Sequence, residues 1–252
     1  MYICTSLDLK GRTALITGAS RRIGRAIATR MAKDGADIIL HYMSSADEAT
    51  SLREDLTKRG VRATLLKADL STPEGIDQVL SFSKSYGRDI DVLINNASVF
   101  KKTTLWKEED IPSMAPVLQA NALAPYLLTV GLAEGAGLKR VINITDALAW
   151  LQRRKGYAYS LSKDLLTHIT YALALDLAPG VTVNAVAPGP ILPPEGKDYK
   201  YLDRVAGTVP LKVHGGPADV VNAIMFLLAS DYITGQVIYV DGGAHLLKEG
   251  II

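Results

Sequence analysis

The chain has one cysteine, Cys4, in 252 residues, so no disulfide can close within it. It has no large surplus of either charge. Its 28 Lys and Arg face 26 Asp and Glu, and the net +2 gives no electrostatic argument for a nucleic-acid or membrane-surface partner. The N-terminus lacks a charged stretch followed by an apolar run and a cleavage signal, which with the lone cysteine leads us to expect a cytoplasmic protein. A long uninterrupted apolar run is missing too. The most apolar stretch, Tyr171 to Pro194, carries Asp176 and five prolines and divides into helix end, turn, strand and loop, so no membrane span is expected. Neither an internal repeat nor a low-complexity tract is visible, and no metal site is expected.

What is present is enough apolar material for a large core. With 48% hydrophobic and 21% charged residues, we expect one domain over residues 1–252. Short β-branched runs begin at Thr13, Asp37, Ala63, Asp91, Val141, Val181 and Gln236. Helical patterns of about ten to twenty residues separate most of them. This alternation predicts the α/β class, a single-domain, Rossmann-type doubly wound parallel sheet of about seven strands with helices on both faces. The stretch 188–216, rich in proline, glycine and lysine, reads as an irregular substrate lid.

Thr17 to Gly24 reads ThrGlyAlaSerArgArgIleGly and lies where the first strand should turn into the first helix, a place where such sheets bind ligands. Gly18 permits the sharp turn. The amides opening the helix, in the Ser20 to Gly24 segment that includes Ile23, would point at a pyrophosphate whose charge the helix dipole favours. NAD enzymes of this architecture place an acid about twenty residues beyond the turn, on the adenosine ribose. Here the second strand ends in Leu40, His41 and Tyr42, with no carboxylate. An acid would repel a ribose phosphate, whereas Arg21 and Arg22 offer forked, permanently charged donors, so NADPH/NADP+ is favoured over NADH. The other reading of the two arginines is a solvated helix start, although cations there oppose the dipole. His41, Ser44 and Ser45 would complete the phosphate pocket, next to Tyr42 at the strand end. Asp69, followed by Leu70, would accept from the adenine amino group, and Asn95 to Ser98, including Asn96 and Ala97, would run along the adenosine ribose.

Tyr159 and Lys163 stand four residues apart in TyrSerLeuSerLys, which on a helix places them on one face. A free tyrosine has a pKa of about 10, so a neighbouring ammonium is needed to make it an effective acid near neutrality. The competing reading is an exposed amphipathic face. Tyr157 is the nearby rival for the acid, but it has no lysine four residues on.

Through the Gly18 to Gly24 turn, AsnAsnAla at 95 to 97, Asn121, Tyr159 with Lys163, and ProGly at 188 and 189, the chain resembles the short-chain dehydrogenase/reductase family over nearly its whole length. The resemblance implies a single Rossmann-type domain in a homotetramer. It makes Tyr159 the proton donor, Lys163 a ligand of the nicotinamide ribose, Asn121 the holder of a water on the proton relay, and Pro188, Gly189 and Ile191 further cofactor contacts. Two residues depart from the family's commonest form: Arg22 replaces a glycine, and Asp146, thirteen residues before Tyr159, replaces a serine. An ionised carboxylate has no proton to give a ketone oxygen and would repel the oxyanion that forms there. It can instead accept from the ring N–H and amino groups of a nitrogen heterocycle; a protonated Asp146 would help to protonate a ring nitrogen.

With AsnAsnAlaSer at 95 to 98, followed by Phe100, these departures resemble the pteridine reductase branch. That implies a pterin-like substrate touched by Ser98, Phe100, Asp146 and Tyr159, with Phe100 stacked on the flat ring. Ser44 and the ProIleLeuProPro segment at 190 to 194 are this chain's own. Competing structural readings are a turn or N-cap role for Asp146 and core packing for Phe100. Trp150 and Tyr199 are further candidates for the pocket wall. Two other functions stay open: a carbonyl or 3-oxoacyl reductase, with Arg153, Arg154 and Lys155 as a docking surface for an acidic carrier, and a non-catalytic NADPH-binding sensor or interaction subunit.

Overall fold

A computed structural model of the chain describes residues 7–103, 110–149, 156–194 and 196–247. Its strands are β1 Thr13–Ile16, β2 Asp37–Tyr42, β3 Ala63–Lys67, β4 Val92–Asn95, β5 Arg140–Ile144, β6 Thr182–Pro188 and β7 Val237–Val240. Each overlaps an expected run. All pair in parallel, in the order β3-β2-β1-β4-β5-β6-β7.

Successive strand residues point to opposite faces, so a sheet apolar at every position must be covered twice. Ala14, Ile16, Ile38, Leu40 and Ile94 pack with Ile27 and Met31 of α1 (Arg22–Lys33), Leu52 of α2 (Ala46–Thr57) and Ile224 of α8 (Pro217–Leu228). Leu15, Ile39, Leu93 and Val141 pack on the other face. Their partners are Ile76 and Val79 of α3 (Pro73–Ser85), Leu128 of α5 (Ala124–Ala133) and Leu173 of α6 (Tyr157–Asp176). Strand order reverses around β1, which has β2 on one side and β4 on the other. The crevice beyond their carboxyl ends is therefore the switch point at which such sheets take ligands.

Two stretches differ from expectation. The segment 188–216, expected to be an irregular lid, is only partly irregular, because it contains α7 (Tyr199–Ala206). Asp198 caps this helix by accepting from the Tyr201 amide at 3.1 Å, and Leu202 and Ala206 are its buried residues. The longest apolar helical run is Ile111–Ala133, formed by α4 (Ile111–Leu118), a π-helical turn (Gln119–Leu123) and α5. Its 23 residues have the length and hydropathy of a membrane span, but the run packs against α3 and α6 as part of the core.

Candidate active site

The β1–α1 turn is built by close approach of backbone to backbone. Gly18 has φ +62°, and a Cβ on Gly24 would lie 2.1 Å from the Gly18 carbonyl oxygen, so neither position tolerates a side chain. Asn96 Nδ2 donates to the carbonyls of Thr17 at 2.9 Å and Gly18 at 3.0 Å. Thr17 Oγ1 accepts from the amides of Asn96 at 2.9 Å and Ala97 at 3.0 Å. The turn and the end of β4 are thereby one unit. Beneath it, the Gly18 amide donates to His41 Nδ1 at 3.1 Å, while His41 Nε2 donates to the Ala68 carbonyl at 3.2 Å. Burial lowers the His41 pKa to about 4, so the ring is neutral and its acceptor nitrogen stays available.

The expected catalytic residues Asp146, Tyr159 and Lys163 converge from two elements. Asp146 follows β5, and Tyr159 and Lys163 lie one turn apart on α6. Tyr159 OH donates to Asp146 Oδ2 at 2.9 Å, and the Leu148 amide donates to Asp146 Oδ1 at 2.8 Å. Asp146 is thus both the turn residue and the tyrosine's partner. Lys163 is fully enclosed, donates to the Ile144 carbonyl at 2.7 Å, and holds its Nζ 5.8 Å from the centre of the Tyr159 ring. Burial pushes its pKa down to about 8, against the opposing pull of Asp146. Phe100 meets the Tyr159 ring edge to face at 5.4 Å and is 54% exposed, which excludes core packing for it.

Residues 18–245 match a family model described as Enoyl-(Acyl carrier protein) reductase. The chain is a short-chain dehydrogenase/reductase. It is 35% identical over 243 residues to dihydromonapterin reductase of Enterobacter sp. (strain 638), covering 93% of this chain and 97% of that one. It is 33% identical over 244 residues to a 3-oxoacyl-[acyl-carrier-protein] reductase of Synechocystis sp. (strain ATCC 27184 / PCC 6803 / Kazusa), at 93% and 97% coverage. Among solved structures, it superposes with TM-score 0.88 and 28% identity on FolM alternative dihydrofolate reductase 1 from Brucella canis complexed with NADP, covering 97% and 98% of the two chains. The protein is therefore an oxidoreductase with the family's α/β fold.

In this short-chain dehydrogenase/reductase, a cavity of about 440 Å³ gathers most of the expected residues. Gly18, Ser20, Arg21, Arg22, Ile23 and Gly24 line it from the turn, and His41, Tyr42, Ser44 and Ser45 from the end of β2. Asp69 and Leu70, Asn96 to Ser98, Asp146, Tyr159, Lys163, Pro188, Gly189 and Ile191 complete it. The lining fits a dinucleotide: a backbone cradle at a helix N-terminus with Arg21 and Arg22 beside it, and no carboxylate at the end of β2. Asp69 Oδ1 accepts from the Ser71 amide at 2.9 Å and hydroxyl at 2.7 Å, and these bonds hold its pKa below the usual carboxylate range.

Three expected residues do something else in this geometry. His41 has both ring nitrogens engaged, so it supports the turn and has no proton to offer a phosphate. Asn95 is buried, donating to Asn143 Oδ1 at 2.8 Å within the core rather than running along a ribose. Asn121 is absent from the cavity wall. Its side chain spans the Val99 amide and carbonyl and donates to Ser162 Oγ at 3.0 Å, fastening the loop after β4 to α6. The π-helical turn that presents it is a local distortion often found at working sites. Met43, Ser71, Val99, Ala120, Thr145 and Leu192 also line the cavity and carry no sequence signal of their own. Trp150, Arg153, Arg154 and Lys155 lie outside the described residues.

Proposed function

We propose that the protein is an NADPH-dependent reductase that delivers hydride to a C=N carbon of a pterin or dihydropteridine, and that it works as a homotetramer. The observation that carries this reading is the 2.9 Å hydrogen bond from Tyr159 to the carboxylate of Asp146. A ketone needs two donors at its oxygen, and here the second group is an acceptor. A pterin edge supplies ring N–H and amino donors that suit a carboxylate. The similarity to dihydromonapterin reductase and to a dihydrofolate reductase complexed with NADP supports the same reading and the choice of NADPH.

When bound, the cofactor supplies a hydride. The chain's residues supply everything else. Asp146 accepts from the heterocycle's N–H groups and orients its ring, and exposed Phe100 provides an apolar face against it. With the carboxylate so engaged, the Tyr159 proton passes to the ring nitrogen beside the reduced carbon, turning C=N into CH–NH. The Lys163 ammonium, close beneath the tyrosine ring, stabilises the phenolate left behind.

The deciding experiment follows NADPH consumption with dihydrobiopterin and, in parallel, acetoacetyl-CoA, for the wild type and Asp146→Ser. Pterin-dependent turnover that falls in the variant is expected. Turnover of the acyl substrate alone, unchanged or faster in the variant, would replace this reading with a 3-oxoacyl reductase, as the Synechocystis relative's name suggests.

A further inference from the structure

The first turn of a helix leaves its leading amides without partners inside the helix, and a Ser, Thr, Asp or Asn at the N-cap ordinarily takes one of them. The N-cap of α6 is Gly156, which has no side chain to offer, and no acid stands in the first turn. The partner comes from far back in the chain. Thr103 accepts three of these amides: its carbonyl takes Gly156 at 2.9 Å and Tyr157 at 3.3 Å, and its hydroxyl takes Ala158 at 3.0 Å. Thr103 is 1% exposed and Ala158 0%, so bulk water does not reach that bond, and removing the hydroxyl strands a buried donor.

A second tie reaches the same turn from the same loop. Asn121 spans the Val99 amide and carbonyl and donates to Ser162 Oγ, which donates in turn to the Tyr159 carbonyl at 2.7 Å. The backbone around Tyr159 is thus held at the amides before it and at its own carbonyl, both from the segment between Val99 and Thr103. Phe100 lies between the two ties. Its ring meets that of Tyr159 edge to face at 5.4 Å, and a Cβ on Gly156 would come within 2.8 Å of it. Among residues 100–103 only Thr103 is buried.

We propose that Thr103 is a positioning residue for the reaction: as a remote cap of α6 it fixes Tyr159 against Phe100, so that the wall on which the substrate lies and the group that gives the proton form one rigid unit. It acts through Tyr159 and is not part of the cavity wall. The inference rests on Tyr159 as the proton donor and not on the choice of substrate.

Three variants test it. Thr103→Val keeps the shape of the side chain and removes the hydroxyl, Thr103→Ala removes it without setting a methyl against the Ala158 amide, and Thr103→Ser keeps it. Two readouts need no turnover. In the valine and alanine variants the Ala158 amide exchanges its hydrogen about tenfold faster or more. The carbon-13 resonance of the Tyr159 phenol carbon, assigned with Tyr159→Phe, moves from its wild-type position as the bond to Asp146 loosens. In the steady state, with whichever of dihydrobiopterin and acetoacetyl-CoA the wild type reduces, kcat falls about tenfold and the KM for NADPH stays within about twofold. The solvent deuterium isotope effect on kcat rises, because proton delivery has become the slower step. Thr103→Ser returns every readout close to its wild-type value. Valine and alanine variants with a lowered thermal midpoint but wild-type phenol resonance, kcat and isotope effect would overturn the proposal and leave Thr103 as a cap that serves the fold alone. A wild type inactive on dihydrobiopterin would count against the pterin reading only, since the amide and phenol readouts decide the role of Thr103 without a substrate.

Discussion

His41 Nδ1 can accept the Gly18 amide only while it carries no proton, so this buried ring ties the phosphate turn to pH. Burial lowers its pKa from 6.5 to about 4. Between those values the unfolded chain takes up a proton that the folded chain refuses, so stability falls as pH drops below 6.5. The cost is on the order of 2 kcal/mol by pH 5. We predict that the urea midpoint of the wild type falls more between pH 7 and pH 5 than that of His41→Gln, whose side chain does not titrate. Parallel pH dependences in the two proteins would refute the assignment. Lys163 gives the alkaline counterpart. Its ammonium is present below about 8 and lost above, so kcat should decline as pH rises through that value. Asp146 raises the lysine's pKa, so Asp146→Asn should move the alkaline limb to lower pH as well as lowering kcat by about 10²-fold or more. A limb that stays in place would show that the two groups do not communicate.

Gly156 is the N-cap of α6, and its φ of +110° turns the chain into the helix that carries Tyr159 and Lys163. A Cβ there would fall 2.8 Å from Phe100 Cε2 and would also have to occupy a backbone region that L-residues avoid. Gly156→Ala should therefore push the exposed Phe100 ring aside and raise the pterin KM several-fold, with a smaller effect on kcat. An equal loss in kcat would place the damage at Tyr159 instead. The same helix shows what was readable in advance. Tyr159 and Lys163 project onto one face through the helical period, Asp146 is legible through the family resemblance, and the seven strands follow from the β-branched runs. The Arg22 contact with Pro193 spans 171 residues, and the His41 bond to the Gly18 amide depends on which way a strand-end ring rotates. The π-helical turn at Asn121 involves a shift in backbone register that side-chain periodicity does not encode. Helix α7 was hidden among prolines and glycines, although its Asp198 cap is a short-range signal.

Among the described residues, several exposed apolar side chains lie on two pairs of neighbouring elements. One is formed by α5 and α6, which pack together and expose Tyr126, Leu127, Tyr171 and Leu175, the last 80% exposed. The other involves α8 and the C-terminal end of the sheet, with Phe226, Tyr232, Tyr239 and Leu246 exposed. This explains the membrane-like hydropathy of Ile111–Ala133: the run needs apolar side chains both for its own core and for an outward face. Monomers rarely leave large contiguous apolar patches open to water. The proposed tetramer, with D₂ symmetry, needs two different self-complementary interfaces, and we propose these two apolar surfaces for them. A charge placed at the centre of either surface would be desolvated on assembly, at a cost of several kcal/mol. Leu175→Glu should therefore yield a particle of half the wild-type mass or less by light scattering, with the far-ultraviolet circular dichroism of the fold unchanged. Because α6 also carries Tyr159 and Lys163, the smaller particle should lose thermal stability at the active-site end first, and added NADP+ should recover part of it. A wild type that scatters as a monomer, or a Leu175→Glu protein that keeps the wild-type mass, would show that the α5–α6 face does not join subunits.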